Sequence, residues 1–124
     1  MSTLLIIEPD ADSHALLKEI TEDHGYTVMA TEMIENGLEI INRGIAIACV
    51  LISVDGGSAA LDESIARLRE TTRGAALPVI AVTSSSRTSE GPQALKAGCA
   101  AFVPKPITDG ALLDALATVL ATKG

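Results

Sequence analysis

The chain of 124 residues contains no tryptophan, and its only aromatic residues are Tyr26 and Phe102. A platform of rings for stacking single-stranded bases is therefore excluded. Basic residues are scarce as well: nine Lys and Arg against sixteen Asp and Glu leave a net charge of -7, which repels a phosphate backbone. Direct nucleic-acid binding is not expected. Only two cysteines are present, Cys49 in an apolar run and Cys99 in a turn of small residues. They fit neither a disulfide framework nor the paired spacing of a zinc site, so both read as plain thiols. Stretches free of polar residues, such as Ile45 to Ile52, fall far short of the ~18 apolar residues of a bilayer span. Met1-Ser2-Thr3 leads straight into Leu4 with no basic region or cleavage site, so no secretory signal is read and cytoplasmic residence is expected. The loop after the first apolar run carries neither Gly-x-Gly-x-x-Gly nor a Walker motif, which argues against a nucleotide-binding enzyme.

What is present is a 48% hydrophobic chain with a mean hydropathy of +0.36, enough apolar surface for one well-filled core over residues 1–124. Runs rich in Ile, Val and Leu at 4–7, 45–52 and 78–82, with shorter ones at 27–30 and 100–103, read as strands. Helical spacing joins Leu16, Leu17 and Ile20; Leu38 and Ile41; Leu61, Ile65 and Leu68; and Leu112, Leu116, Val119 and Leu120. Gly25, Gly44, Gly74 and Gly98 stand where helices stop, Asp12 or Ser13 where the first starts, and Thr108 or Asp109 where the fifth starts. Strands joined by helical crossovers must run parallel. The fold class is α/β: a doubly wound five-stranded parallel sheet, a flavodoxin-like (βα)5 three-layer sandwich. Function in such folds lies at the carboxyl ends of the strands.

At those ends stand Glu8-Pro9-Asp10, Ser53-Val54-Asp55, Thr83-Ser84 and Lys105-Pro106. With this order, the spacing from 8 to 53 to 83 to 105, and the segments Leu77-Pro78-Val79-Ile80-Ala81-Val82-Thr83 and Ala97 to Pro106, the chain resembles the receiver domain of two-component response regulators over nearly its whole length. That resemblance implies a pocket in which an acidic pair holds Mg²⁺, an Asp ending the third strand accepts phosphoryl from a histidine kinase, and a Thr or Ser and a Lys contact the phosphoryl group. It also implies a Lys105-Pro106 peptide that is often cis.

The departures lie in that pocket. The acidic pair is reduced to Glu8-Pro9, and Ser53 stands where the acceptor belongs. Mg²⁺ asks for near-octahedral oxygen donors, and Pro9 supplies none while Ser53 supplies a neutral hydroxyl. A serine needs an adjacent base to match a carboxylate as nucleophile, and His14 and His24, read as solvent-facing helix residues, offer none. Phosphotransfer is expected to be lost, with no cofactor and no enzymatic activity. The rival reading extends the third strand by two residues and makes Asp55 the acceptor, with Glu8, Asp10 and Asp55 holding Mg²⁺. Against it, Asp55-Gly56-Gly57 reads as a turn. A serine-phosphorylated signalling domain of another topology, centred on Ser53 or Ser58, is a further alternative that the order of elements decides.

The expected fate of Lys105 is a pair with Glu8 and a bond to Ser53, balancing charge without phosphate. Thr83 and Phe102 hold the places of the hydroxyl and the switching aromatic; in an altered pocket they read more simply as a strand end and a space-filler. Phe102 also suits a partner anchor on the face of the fourth helix, fifth strand and fifth helix. Ser84 to Gly91 reads as an exposed polar loop, and Glu19, Glu22 and Asp23 as a solvated face. The partners implied are other signalling proteins, a histidine kinase or a fused output domain, and a homodimer through the fifth-strand face. Ala121 to Gly124 ends where a linker would begin, as in an excised domain.

Overall fold

The computed structural model describes residues 2–54, 57–71, 76–84 and 90–121. The elements alternate as β1 (Thr3–Ile7), α1 (Ala11–Asp23), β2 (Thr27–Thr31), α2 (Ile34–Asn42), β3 (Cys49–Ile52), α3 (Gly57–Glu70), β4 (Val79–Thr83), α4 (Glu90–Lys96), β5 (Ala101–Pro104) and α5 (Asp109–Ala121). All pairings are parallel and the strand order is β2-β1-β3-β4-β5. The doubly wound sandwich expected from the sequence is the fold observed.

The continuous apolar runs follow from burial on both faces. Leu5, Ile7, Val50, Ile52, Val79 and Ala81 point to the layer formed by α2, α3 and α4. Leu4, Ile6, Cys49, Leu51, Ile80 and Val82 point to α1 and α5. Leu61, Ile65 and Leu68 are buried on one side, and Leu112, Leu116 and Val119 on the other, as their spacing predicts. Gly25, Gly44 and Gly98 carry the left-handed φ of helix stops; Gly74 lies outside the described residues.

Four local expectations are corrected. The run 45–52 becomes strand only from Cys49, because Ala48 N–H is the first to reach β1, at the carbonyl of Thr3, where that strand begins. Pro78 precedes β4 instead of opening it, since it has no N–H for the ladder; its carbonyl accepts from Val50. Leu16 is 36% exposed, and the inner stripe of α1 is Leu17, Ile20 and Thr21. Thr21 can be buried because its hydroxyl donates to the carbonyl of Leu17 at 2.7 Å. Finally, α1 is capped by Asp10, not by Asp12 or Ser13; the Asp10 carboxylate accepts from Ser13 N–H at 2.9 Å. At the start of α5, Thr108 caps as expected, accepting from Ala111 N–H at 3.2 Å.

Candidate functional site

The order β2-β1-β3 reverses the direction of winding between β1 and β3, so a crevice opens beyond their carboxyl ends. The ladder fixes what stands there. Ile7 pairs with Ile52, and Ser53 N–H donates to the carbonyl of Ile7 at 2.8 Å. Glu8 and Ser53 are therefore the first residues past two adjacent strands. Thr83 ends β4, and Lys105, one residue past β5, is fixed by its N–H on the carbonyl of Thr83 at 2.9 Å. The four residues read from the sequence thus gather at one sheet edge. The Lys105-Pro106 peptide is cis, as the resemblance implied.

Glu8 is fully buried, and both its oxygens are engaged. Lys105 Nζ lies 3.0 Å from Oε1, and Asp10 N–H donates to Oε2 at 3.1 Å. The Lys105 approach has the distance of an ion pair without the angle of a hydrogen bond, so Oε1 is held by charge alone. The expected Glu8–Lys105 pair is present, and no bond from Lys105 to Ser53 accompanies it among the described residues. Ser53 is 6% exposed, and Thr83 is fully buried with a hydroxyl that has no partner among the described residues.

His14 departs from its expected place in solvent. It is half-buried, with Nδ1 3.0 Å from the carbonyl oxygen of Glu8. A carbonyl only accepts, so Nδ1 carries the proton of this bond and ties α1 to the loop that presents Glu8. The signal was readable: with Asp10 as cap, position 14 falls one turn into the helix, facing back over its start. His24 is exposed, as expected.

Among the described residues the donor set does not fit Mg²⁺. Glu8 is already paired with Lys105, Pro9 has no side-chain oxygen, and the Asp10 carboxylate is turned into its own helix. Its hydrogen bonds from Ser13, and to a smaller degree the charge of Lys105, hold the Asp10 carboxyl below its ordinary value. A metal at this site would have to break these contacts before gaining ligands. Asp55, the alternative acceptor, lies outside the described residues, as do residues 85–89 of the polar loop and the side chain of Ser58.

Phe102 is half-buried and packs on the α2–α3–α4 side of the sheet. Gly91, near the start of α4, lies directly against it: a Cβ there would sit 2.6 Å from Cζ and 2.7 Å from Cδ2 of the ring. The sequence reading missed this contact, because a glycine inside a polar stretch looks like a loop residue. The two cysteines are buried thiols, and burial pushes Cys99 up to about 11, which makes it a poor nucleophile.

The family model for the response regulator receiver domain matches residues 4–117. The chain belongs to that family. Among relatives, the receiver is 29% identical over 106 residues to an uncharacterized 14.6 kDa protein from the sodA1 3′ region of Leptolyngbya boryana, covering 84% of this chain and 79% of that one. Its fold is that of chemotaxis protein CheY4 of Vibrio cholerae, with a TM-score of 0.83 at 17% identity over 97% of this chain and 99% of that one. It also superimposes on NtrX of Brucella abortus, solved in complex with ADP, with a TM-score of 0.82 at 20% identity; the match covers 98% of the receiver but 27% of NtrX. Among the described residues no helix is long and apolar enough to cross a membrane.

Proposed function

We propose that this receiver works in signalling as a pseudo-receiver, through protein contacts and without phosphorylation of an aspartate. The observation that carries this reading is the double engagement of Glu8, by Lys105 on one oxygen and by Asp10 N–H on the other. The resemblance assigns such groups to a metal and a phosphoryl group; here Glu8 and Lys105 face one another. Ser53 adds a neutral hydroxyl, and among the described residues no base is hydrogen-bonded to it. His14 is the histidine nearest in sequence to Glu8, and its Nδ1 is committed to the Glu8 carbonyl. Phosphoryl transfer depends on electrostatic stabilisation, which this donor set does not supply. The domain then needs no metal cofactor and turns over no substrate. Its partners are other signalling proteins, a kinase or a fused output domain, with Phe102 anchoring contacts, including those of a homodimer, on the α4–β5–α5 face.

Amide NMR with Mg²⁺ and beryllofluoride tests the proposal. The amides of Glu8, Ser53, Thr83 and Lys105 are expected to stay in place. Saturable shifts at these positions that require both additives would overturn it, and would support Asp55 as acceptor with Glu8 and Asp10 holding Mg²⁺.

A further inference from the structure

Two grooves flank the turn between β2 and α2. The larger, about 590 Å³, runs between α1 and α2 past His14, Ala30, Asn36 and Ile40. The smaller, about 250 Å³, lies between the β1–α1 loop and α3, past Pro9, Val54, Ala60 and Ser64. Glu32 and Met33 line both, so they form the ridge of a saddle. Met33 is 54% exposed, more than any other large apolar side chain described. A thioether on a ridge between two hollows is an adaptable apolar contact.

The charges around the saddle are unbalanced. Arg67 pairs with Glu35 at 2.8 Å and Arg43 pairs with Glu39, which neutralises both arginines. Glu32 and Glu63 are exposed and have no ion-pair partner among the described residues. Independently of charge, Ser64 is 7% exposed, lines the smaller groove, and has no hydrogen-bond partner among the described residues. A hydroxyl at the wall of a groove, with no partner of its own, is open to a polar group entering from outside.

We propose that this saddle docks a basic segment of a partner protein, one that carries an apolar side chain between cationic ones. The apolar group packs on Met33, the cations reach Glu32 and Glu63, and a main-chain group of the segment bonds Ser64. A second copy of this chain is a poor occupant of this acidic saddle, which asks for a cluster of cations from a chain whose net charge is -7. The surface is separate from the α4–β5–α5 face. It abuts Pro9 and Val54, the neighbours of Glu8 and Ser53, so an occupied groove touches both loops of the degenerate pocket. The proposal does not depend on whether that pocket can be phosphorylated.

The test is an amide NMR titration with a short synthetic peptide containing Arg-Leu-Arg, and with its Glu-Leu-Glu counterpart. The basic peptide is expected to shift amides of residues 32–39 and 60–67 saturably, with affinity falling as salt rises, and the acidic peptide to shift nothing. Met33→Ala, and separately the pair Glu32→Lys and Glu63→Lys, should each weaken binding by about tenfold while Glu19→Lys leaves it unchanged. These positions are exposed, and an unchanged melting curve certifies each variant. Equal affinity in all variants, or shifts spread over the acidic face of α1, would overturn the proposal. So would a dimer in the absence of peptide that Met33→Ala dissolves, which would make a second copy the occupant.

Discussion

Lys105 Nζ stands 3.0 Å from Oε1 of a Glu8 side chain that has no exposed surface. The lysine keeps a quarter of its side chain in solvent, so the two partners depend on each other unequally. Removing the lysine strands a buried carboxylate, whereas removing the carboxylate leaves a lysine free to turn outward. Lys105→Met should therefore lower stability by about 3 kcal/mol, and Glu8→Gln by clearly less. The double variant should recover much of the loss of Lys105→Met. Urea unfolding of the four proteins checks this, and additive effects would show that the pair is not coupled.

Gly91 and Phe102 give a prediction whose sign is set by two opposed effects. Alanine in place of a helical glycine gains up to about 1 kcal/mol from backbone entropy. Here the added Cβ would lie 2.6 Å from a ring carbon, and overpacking of that kind costs about 1–3 kcal/mol. Gly91→Ala is expected to destabilise, and to do so much less in a Phe102→Leu background. A stabilising Gly91→Ala would mean that the ring moves aside without cost.

The cap of α1 carries a pH dependence. The hydrogen bonds from Ser13 depress the folded value of Asp10, so its contribution is complete above the unfolded value of 3.8 and is lost as pH falls through the lower folded value. Asp10→Ala should melt a few degrees below the parent at neutral pH. That gap should close only in acid below pH 3.8. A gap already closing near neutrality would assign the effect to another group.

Ser53→Asp would place a second carboxylate one strand away from Glu8 in a nearly closed site. Without metal it should cost about 1–3 kcal/mol, read as a lower melting temperature in EDTA. Mg²⁺ should return part of the loss to the variant and leave the parent unchanged. Equal Mg²⁺ responses in the two proteins would show that Ser53 is not what separates this pocket from a metal-binding one.

Much of this was legible in the sequence, and the failures have physical reasons. The strand ends could be read because each lies where an apolar run meets polar residues, and parallel pairing then brings Glu8, Ser53, Thr83 and Lys105 together whatever the loops do. The Glu8–Lys105 pair followed from charge, as the acid and the cation beside two hydroxyls. Contacts decided by helix phase were misread, although the Asp10 cap that places His14 stands in the sequence. Apolar spacing groups Leu16 with Leu17 and Ile20, but in the molecule Leu16 is 36% exposed, and His14, expected in solvent, is half-buried against the Glu8 carbonyl. The Gly91–Phe102 contact joins α4 to β5, and no local pattern announces which helical residue must lack a side chain. The Met33 saddle was equally hidden, because an exposed methionine looks like any other apolar residue until its neighbours are placed.

The central claim is that the pocket has exchanged phosphoryl chemistry for an internal ion pair. The most direct measurement is the intact mass of the protein after incubation with acetyl phosphate and Mg²⁺, with peptide mapping of any product. No phosphoryl adduct on any aspartate is expected, with or without the metal. An Mg²⁺-dependent adduct on Asp55 would contradict the claim.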